Sequence, residues 1–398
     1  MTMAESKAGL VVFSDDWGRH PSSCQHLISH LLPRYPTLWV NTIGTRRPKL
    51  NLEDLSKAAS RIRLWFHAAG QLNVVPDGLR VISPRMYPGF RRRWQRRMNT
   101  RMLSSQVNKA IASWFDDSVV HRIALTTIPF AADLVGQLHV NRWVYYCVDD
   151  FSAWPGLDKD VIQVMEKELV GGVDSLISVS RPLSERLKEM GRDSTLLTHG
   201  IDMNHWRSVD ARGSSCQFTW LEGLTGPLVL FWGLIDKRLD TSWCRVLAEA
   251  LQRSGGVLVL VGPQQSPDPE LIRMTRLLPI LMPGEISYQQ LPALASRACV
   301  LVMPYEDSAV TRAMQPLKLK EYLATGKPVV VRDLPSTSEW RDCCDVADSA
   351  DSFVSLTLER AGNTSLSAAQ VASRSRLETQ TWSEKARQFE RVVCGDQV

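Results

Sequence analysis

The sequence has no apolar run approaching about 18 residues, the length a bilayer-spanning helix needs, so no transmembrane segment is expected. Its first residues, MTMAESKAGLVVFSDDW, place a single Lys7 before an apolar stretch much shorter than the core of a secretory signal. A cytoplasmic protein is the expectation. The eight cysteines are scattered, and the one close pair, Cys343 and Cys344, has neither a zinc-ligand nor a C-x-x-C spacing. Reduced, mostly buried thiols and no metal chemistry are expected. No G-x-G-x-x-G follows the first apolar run, where SDDWGR stands instead, and this disfavours a dinucleotide-dependent oxidoreductase. His26 and His30 are four apart but lack the glutamate of H-E-x-x-H and a third ligand, so they read as helix-face histidines. Short repeats and low-complexity tracts are also missing.

What is present is 398 residues with 44% hydrophobic and 22% charged content, the balance of a globular protein. At roughly 100 to 200 residues per domain, that length predicts two domains. The formal net charge of +5 favours anionic ligands only weakly.

Short runs rich in Val, Ile and Leu alternate with segments of helical period, the pattern of parallel strands joined by crossover helices. Strands are expected near Leu10–Ser14, Leu38–Asn41, Arg80–Ser83, Arg122–Thr126, Trp143–Cys147, Ser175–Val179 and Thr195–Leu197. A second set is expected near Leu228–Trp232, Val257–Val261, Ile280–Met282, Cys299–Met303 and Pro328–Val331. Between the sets lies a Gly- and Ser-containing stretch with little periodicity. The expected organisation is an N-terminal Rossmann-like domain over 1–205, a linker over 206–226, a second Rossmann-like domain over 227–380 and a C-terminal helix over 381–398, able to pack on either domain.

In doubly wound sheets ligands lie at the carboxyl ends of the strands. After the strand ending at Met303 comes PYEDSAVTRAMQPLKLKEYLATGKPVVV, in which Pro316 suits the first turn of a helix and Gly326 its end. A helix from about Leu317 to Thr325 results. Its amino terminus is a ready diphosphate site, with Lys318 adding a full positive charge. Glu321, one turn on, presents two oxygens that suit a ribose diol. The same spacing also serves an ordinary exposed ion pair.

PLKLKEYLATGKPVVV is similar to the donor-binding signature of GT-B glycosyltransferases, particularly the retaining family 4, also called glycosyl transferases group 1. The resemblance implies α/β architecture of the GT-B type, two Rossmann-like doubly wound domains facing each other across a cleft. It also implies that Glu321 holds the nucleotide ribose while Lys318 and the backbone from Gln315 to Leu317 lie by the donor diphosphate. The family usually has two glutamates separated by seven residues; here the earlier position is Ala313, with Thr311, Glu306 and Asp307 just upstream. LFWGLIDKRLD, Leu230 to Asp240, resembles the family's phosphate loop, where Gly233 permits close backbone approach and Lys237 or Arg238 neutralises the leaving diphosphate. PGEISYQQLPALASRACVLVMPY resembles the loop that borders the nucleotide base.

The first half resembles the family more loosely. Asp16, Gly18, Arg19 and His20 follow the first strand, where GT-B enzymes place a loop facing donor and acceptor. Asp149 and Asp150 follow the fifth strand and serve as base, acceptor-hydroxyl ligands or helix caps. The catalytic candidates are therefore Asp149, Asp150, Asp16 and His20. His199, in HGID, reads as structural or cleft-lining. The run RMYPGFRRRWQRRMNTRM interleaves arginines with aromatics, a pattern that binds nucleic acid or an anionic leaflet, or simply faces solvent. With no recognisable nucleic-acid module beside it, a membrane-facing patch through Arg91–Arg97 on the inner face of the membrane is the preferred reading.

Together these readings predict a metal-independent, cofactor-free glycosyltransferase moving a sugar from a nucleotide-sugar donor to a glycan or lipid-linked acceptor in surface polysaccharide or glycoconjugate synthesis, with no nucleic-acid partner. Two alternatives stand beside it: a sugar-nucleotide epimerase on the same fold, and a catalytically silent nucleotide- or glycan-binding protein.

Overall fold

The computed structural model describes residues 7–18, 22–41, 75–154, 157–207, 218–314 and 317–395. Among the described residues, thirteen strands form two all-parallel sheets. The first contains β1 (Lys7–Phe13), β2 (Thr37–Val40), β3 (Leu79–Ile82), β4 (Val119–Thr126), β5 (Arg142–Cys147), β6 (Ser175–Ser178) and β7 (Thr195–Leu196). The second contains β8 (Leu228–Trp232), β9 (Val257–Val261), β10 (Ile280–Gly284), β11 (Val300–Met303), β12 (Val329–Arg332) and β13 (Asp345–Ala347). Their orders are β3-β2-β1-β4-β5-β6-β7 and β10-β9-β8-β11-β12-β13, so each is a doubly wound sheet. All residues of β8, β9 and β11 are buried, because helices cover both faces of a parallel sheet.

The twelve strands expected from the sequence are all present, and β13 is the addition. Its three residues, Asp-Val-Ala, sit at a sheet edge and carry no apolar run to announce them.

Helices between the strands start where a side chain satisfies free backbone N–H groups. Ser22 accepts from Gln25 N, Asp158 from Val161 N, Ser180 from Leu183 N, and Asp240 from Ser242 N and Trp243 N. The Leu317–Ala324 helix forms as expected, one residue shorter at its end.

The chain divides into two compact units, Met1–Thr198 with Lys385–Val398, and His199–Glu384. The division thus falls before the boundary placed at 205. The reason is hydrogen bonding inside the second unit, where Ile201 N donates to Gln380 O (2.8 Å) and Trp382 N donates to Ile201 O (3.2 Å). The last helix, Trp382–Cys394, begins in the second unit and ends in the first. There Phe389 packs on Tyr146 with ring centroids 5.4 Å apart, and Tyr35 Oη donates to Glu390 Oε1 at 2.6 Å.

Candidate active site

In the second sheet the strand order reverses between β8 and β11, and the chain segments leaving these two strands hold the predicted donor residues. Gly233 follows β8 directly. A β-carbon there would lie 2.9 Å from Lys318 Cε and 2.9 Å from Phe231 Cζ, and one on Gly262 would lie 1.9 Å from Gly233 O. Two glycines therefore let two loops and the stem of Lys318 pack in direct contact.

Lys318 stands in the first turn of the Leu317–Ala324 helix. Burial holds its ammonium below the ordinary lysine range, with Arg238 adding to the effect and Glu321 and Asp236 opposing it. Glu321 is 8% exposed and accepts a hydrogen bond from Trp232 Nε1 at 3.3 Å. Burial pushes its carboxyl up to about 7, against the pull of the Lys318 charge and of hydrogen bonds from Trp232 and Tyr288. Around this pair is an aromatic wall. Trp206 stacks on Trp232 at 5.2 Å, His205 stacks on Tyr288 at 4.2 Å, and Tyr322 Oη donates to Trp232 O at 3.0 Å. A half-buried lysine and a buried carboxylate one turn apart at a helix start form a site for a ligand that brings an anion and hydroxyl groups together.

Of the two basic candidates after Gly233, Arg238 shares the electrostatic environment of Lys318, whereas Lys237 is exposed. Asp236 aims Arg238 by accepting from its Nε through both oxygens at 3.0 Å. Thr311 is the third residue of the Ala309–Ala313 helix, whose cap is Ser308. Its buried hydroxyl donates to Glu306 O, and Ser308 N donates to Thr311 Oγ1 at 3.0 Å, so local structure uses its bonding capacity. Asp307 is held by Arg312 at 2.5 and 2.7 Å. Leu317 opens the helix, and Gln315 lies outside the described residues.

The equivalent reversal in the first sheet lies between β1 and β4. Asp16 is half-buried there, and His20 lies outside the described residues, as does Arg19. The structure singles out the neighbouring Asp15, which the sequence reading passed over. Its carboxylate accepts from Ser14 Oγ (2.9 Å), Ser22 Oγ (2.9 Å) and Gln25 Nε2 (2.5 Å). Burial raises its pKa all the same. Gln25 Oε1 also accepts from Gly18 N at 3.1 Å, which fixes the loop.

Asp149 and Asp150 separate in role. Asp150 caps a short turn, accepting from Ser152 N at 3.0 Å, and pairs with Arg186 at 3.4 Å. Asp149 is half-buried and accepts from Asp150 N at 2.8 Å. Beneath them is fully buried Glu166, which accepts from Tyr145 Oη at 2.8 Å and from Arg186 Nη1 at 3.0 Å. A signal for it existed in the sequence: Glu166 falls on the apolar face of its helix with Ile162, Met165, Leu169 and Val170.

The arginine run also divides. Arg96 turns inward, its Nη2 donating to Asp133 Oδ1 at 2.6 Å with Glu168 as a second partner, and Phe90 is buried against Phe130. Arg91, Arg92, Arg93 and Arg97 are exposed, as are Tyr87 and Trp94, whose rings lie 5.1 Å apart. Among the described residues no helix is long and apolar enough to cross a membrane.

Residues 226–358 match the family of glycosyl transferases group 1. The chain is 34% identical over 186 residues to the putative teichuronic acid biosynthesis glycosyltransferase TuaH of Bacillus subtilis (strain 168). That match covers 46% of this chain and 46% of the relative, so it spans about half the length of each. Among solved structures, the chain is similar to the E. coli trehalose-6-phosphate protein bound with UDP-2-fluoro glucose, at TM-score 0.65, 14% identity and coverage of 96% and 98% of the two chains. Sucrose-phosphate synthase from Thermosynechococcus elongatus superposes at 0.68 with 15% identity over 97% and 98%. Anabaena Alr3699/HepE in complex with UDP and glucose superposes at 0.63 with 13% identity over 98% and 100%. At such identities the likeness is one of fold, and that fold is the GT-B arrangement of two parallel-sheet α/β units.

Proposed function

Since residues 226–358 match the family of glycosyl transferases group 1, we propose that the whole chain is a glycosyltransferase moving a sugar from a nucleotide-sugar donor to a glycan or lipid-linked acceptor. The reaction proceeds with retention, without a metal or other cofactor, in the synthesis of a surface polysaccharide or glycoconjugate. The observation that carries this reading is the half-buried Lys318, its stem against Gly233, one turn from the buried Glu321 where the second sheet reverses its order. The complexes of two structural relatives with UDP-2-fluoro glucose and with UDP and glucose support a UDP-sugar as donor.

In this reading Glu321 accepts from the ribose hydroxyls, and the diphosphate lies by Lys318, Arg238 and the N–H groups that open the Leu317–Ala324 helix. As the bond from the anomeric carbon to the diphosphate oxygen breaks, negative charge grows on the leaving group. Fixed cations and helix N–H groups stabilise that charge at no reorganisation cost. The acceptor hydroxyl adds to the anomeric carbon on the same face and gives its proton to the departing phosphate oxygen. Asp149 and Asp16 orient acceptor hydroxyls; Asp150 maintains the loop that presents Asp149.

Incubation with UDP-, GDP-, ADP- and dTDP-sugars and a glycan or lipid-linked acceptor tests the reading by NMR of the products. One donor yields free nucleoside diphosphate and a product of unchanged anomeric configuration. Conversion of donor alone to an epimer would replace transfer by epimerisation, and binding without turnover would make the protein a silent relative.

The exposed Arg91, Arg92, Arg93 and Arg97 beside Tyr87 and Trp94 support peripheral attachment to an anionic membrane surface. At about 1 kcal/mol per basic residue near such a surface, replacing the four arginines by glutamine abolishes co-sedimentation with anionic liposomes. Binding that survives the replacement removes the membrane from the account.

A further inference from the structure

The helix that carries Lys318 and Glu321 has a cavity at its opposite end. The space is about 690 Å³, with an apolar wall that includes Trp206, Leu323 and Val371 and four charged residues, Arg207, Lys327, Arg374 and Glu378. Arg374 is only 7% exposed. Its Nε donates to Cys343 O (2.9 Å) and its Nη1 to Lys327 O (2.8 Å) and Leu323 O (3.3 Å), all neutral acceptors. Its Nη2 is buried with no hydrogen-bond partner among the described residues. Asp345, the carboxylate whose charge reaches it, is held by Arg360 at 2.7 and 2.8 Å.

A guanidinium held in the interior without a carboxylate is costly, and an oxyanion is the group that relieves it. Glu378 on the same wall pairs with Arg207 at 2.5 Å. Three cations against one carboxylate leave the wall with a surplus of two positive charges, the charge of a phosphate monoester reversed.

We propose that this cavity binds a small organic phosphate, its oxyanion toward Arg374 and Lys327 and its apolar body against Trp206, Leu323 and Val371, and that its occupancy is felt at Glu321. The connection is physical. Trp206 lines the cavity and stacks on Trp232 with an interplanar angle of 13°, and Trp232 Nε1 donates to Glu321. The site goes beyond glycosyl transfer and does not depend on it.

Phenyl phosphate is the probe, read by saturation-transfer NMR on the full chain, with neutral phenol as the control. The ring of phenyl phosphate receives saturation from the wild type, phenol at the same concentration does not, and the signal persists in Lys318→Met. In Val371→Trp, whose half-exposed rim position directs a large ring into the cavity, affinity falls at least about tenfold, a change of one decade in Kd. Val371→Trp is chosen because Arg374 ties three backbone carbonyls and its loss threatens the fold. No saturation, equal binding of phenol, undiminished binding in Val371→Trp, or loss in Lys318→Met would each overturn the assignment. Coupling requires that UDP and phenyl phosphate alter each other's affinity by the same factor; independent binding would remove the link to Glu321.

Discussion

The same strand order ends in two different chemistries. Where the second sheet reverses, a half-buried lysine stands one turn from a buried glutamate and a glycine clears space for the lysine stem. Where the first sheet reverses, Asp15 is half-buried among Ser14, Ser22 and Gln25, and its oxygens are already hydrogen-bonded by the protein. The arrangement in the first sheet shapes a loop. The arrangement in the second sheet holds a cation and a carboxylate in a place where a phosphate and a diol would complete them. The topology places a site at both positions, and the side chains decide which is built to hold an anion.

The largest way to break this contrast is to remove its cation. Lys318→Met is expected to lower kcat by about 100-fold or more, the scale of losing one group that stabilises developing negative charge. Asp16→Asn should cost far less, and steady-state kinetics of the pair measures the difference. Gly233→Ala belongs with Lys318→Met, since the added methyl meets the lysine stem at 2.9 Å. Equal losses in Lys318→Met and Asp16→Asn would erase the distinction between the two ends.

A smaller effect separates scaffold from site in the first unit. Glu166→Gln leaves the Arg186 guanidinium without its buried carboxylate and is expected to destabilise that unit by about 3 kcal/mol, the cost of breaking a buried pair. Chemical denaturation measures it. If Glu166→Gln left stability unchanged, the buried network under Asp149 and Asp150 would not be what holds their loop.

The smallest effect is a pH dependence. The Glu321 carboxyl is pushed from 4.5 up to about 7 by burial. A raised carboxyl favours the fold while protonated, so its contribution is full below pH 4.5 and is lost as pH rises through 7. Between pH 5 and 8 the wild type should therefore lose thermal stability relative to Glu321→Gln. Parallel melting profiles across that range would show that the carboxyl is not desolvated in the free protein.

Much of this is legible in the sequence. Strands buried on both faces read as unbroken Val, Ile and Leu runs, and Pro316 and Gly326 bracket a helix that begins at Leu317. The residues proposed for the donor side are legible because they lie in the segments that leave β8 and β11 and carry charge. The role of Thr311 is not, since the carbonyl of Glu306 and the cap at Ser308 that occupy it depend on how the loop folds. Asp15 and Asp16 look alike in sequence; only the folded positions of Ser22 and Gln25 tell them apart. The end of the first unit was hidden for the same reason, because it is set by bonds from Ile201 to Gln380 and Trp382, far away in the chain.

Calorimetric titration of UDP into the wild type, Lys318→Met and Asp15→Asn tests the central claim most directly. The account predicts binding to the wild type, its loss in Lys318→Met, and near-normal affinity in Asp15→Asn. Undiminished binding in Lys318→Met, or loss in Asp15→Asn with Lys318→Met unaffected, would place the nucleotide on the first unit and contradict it.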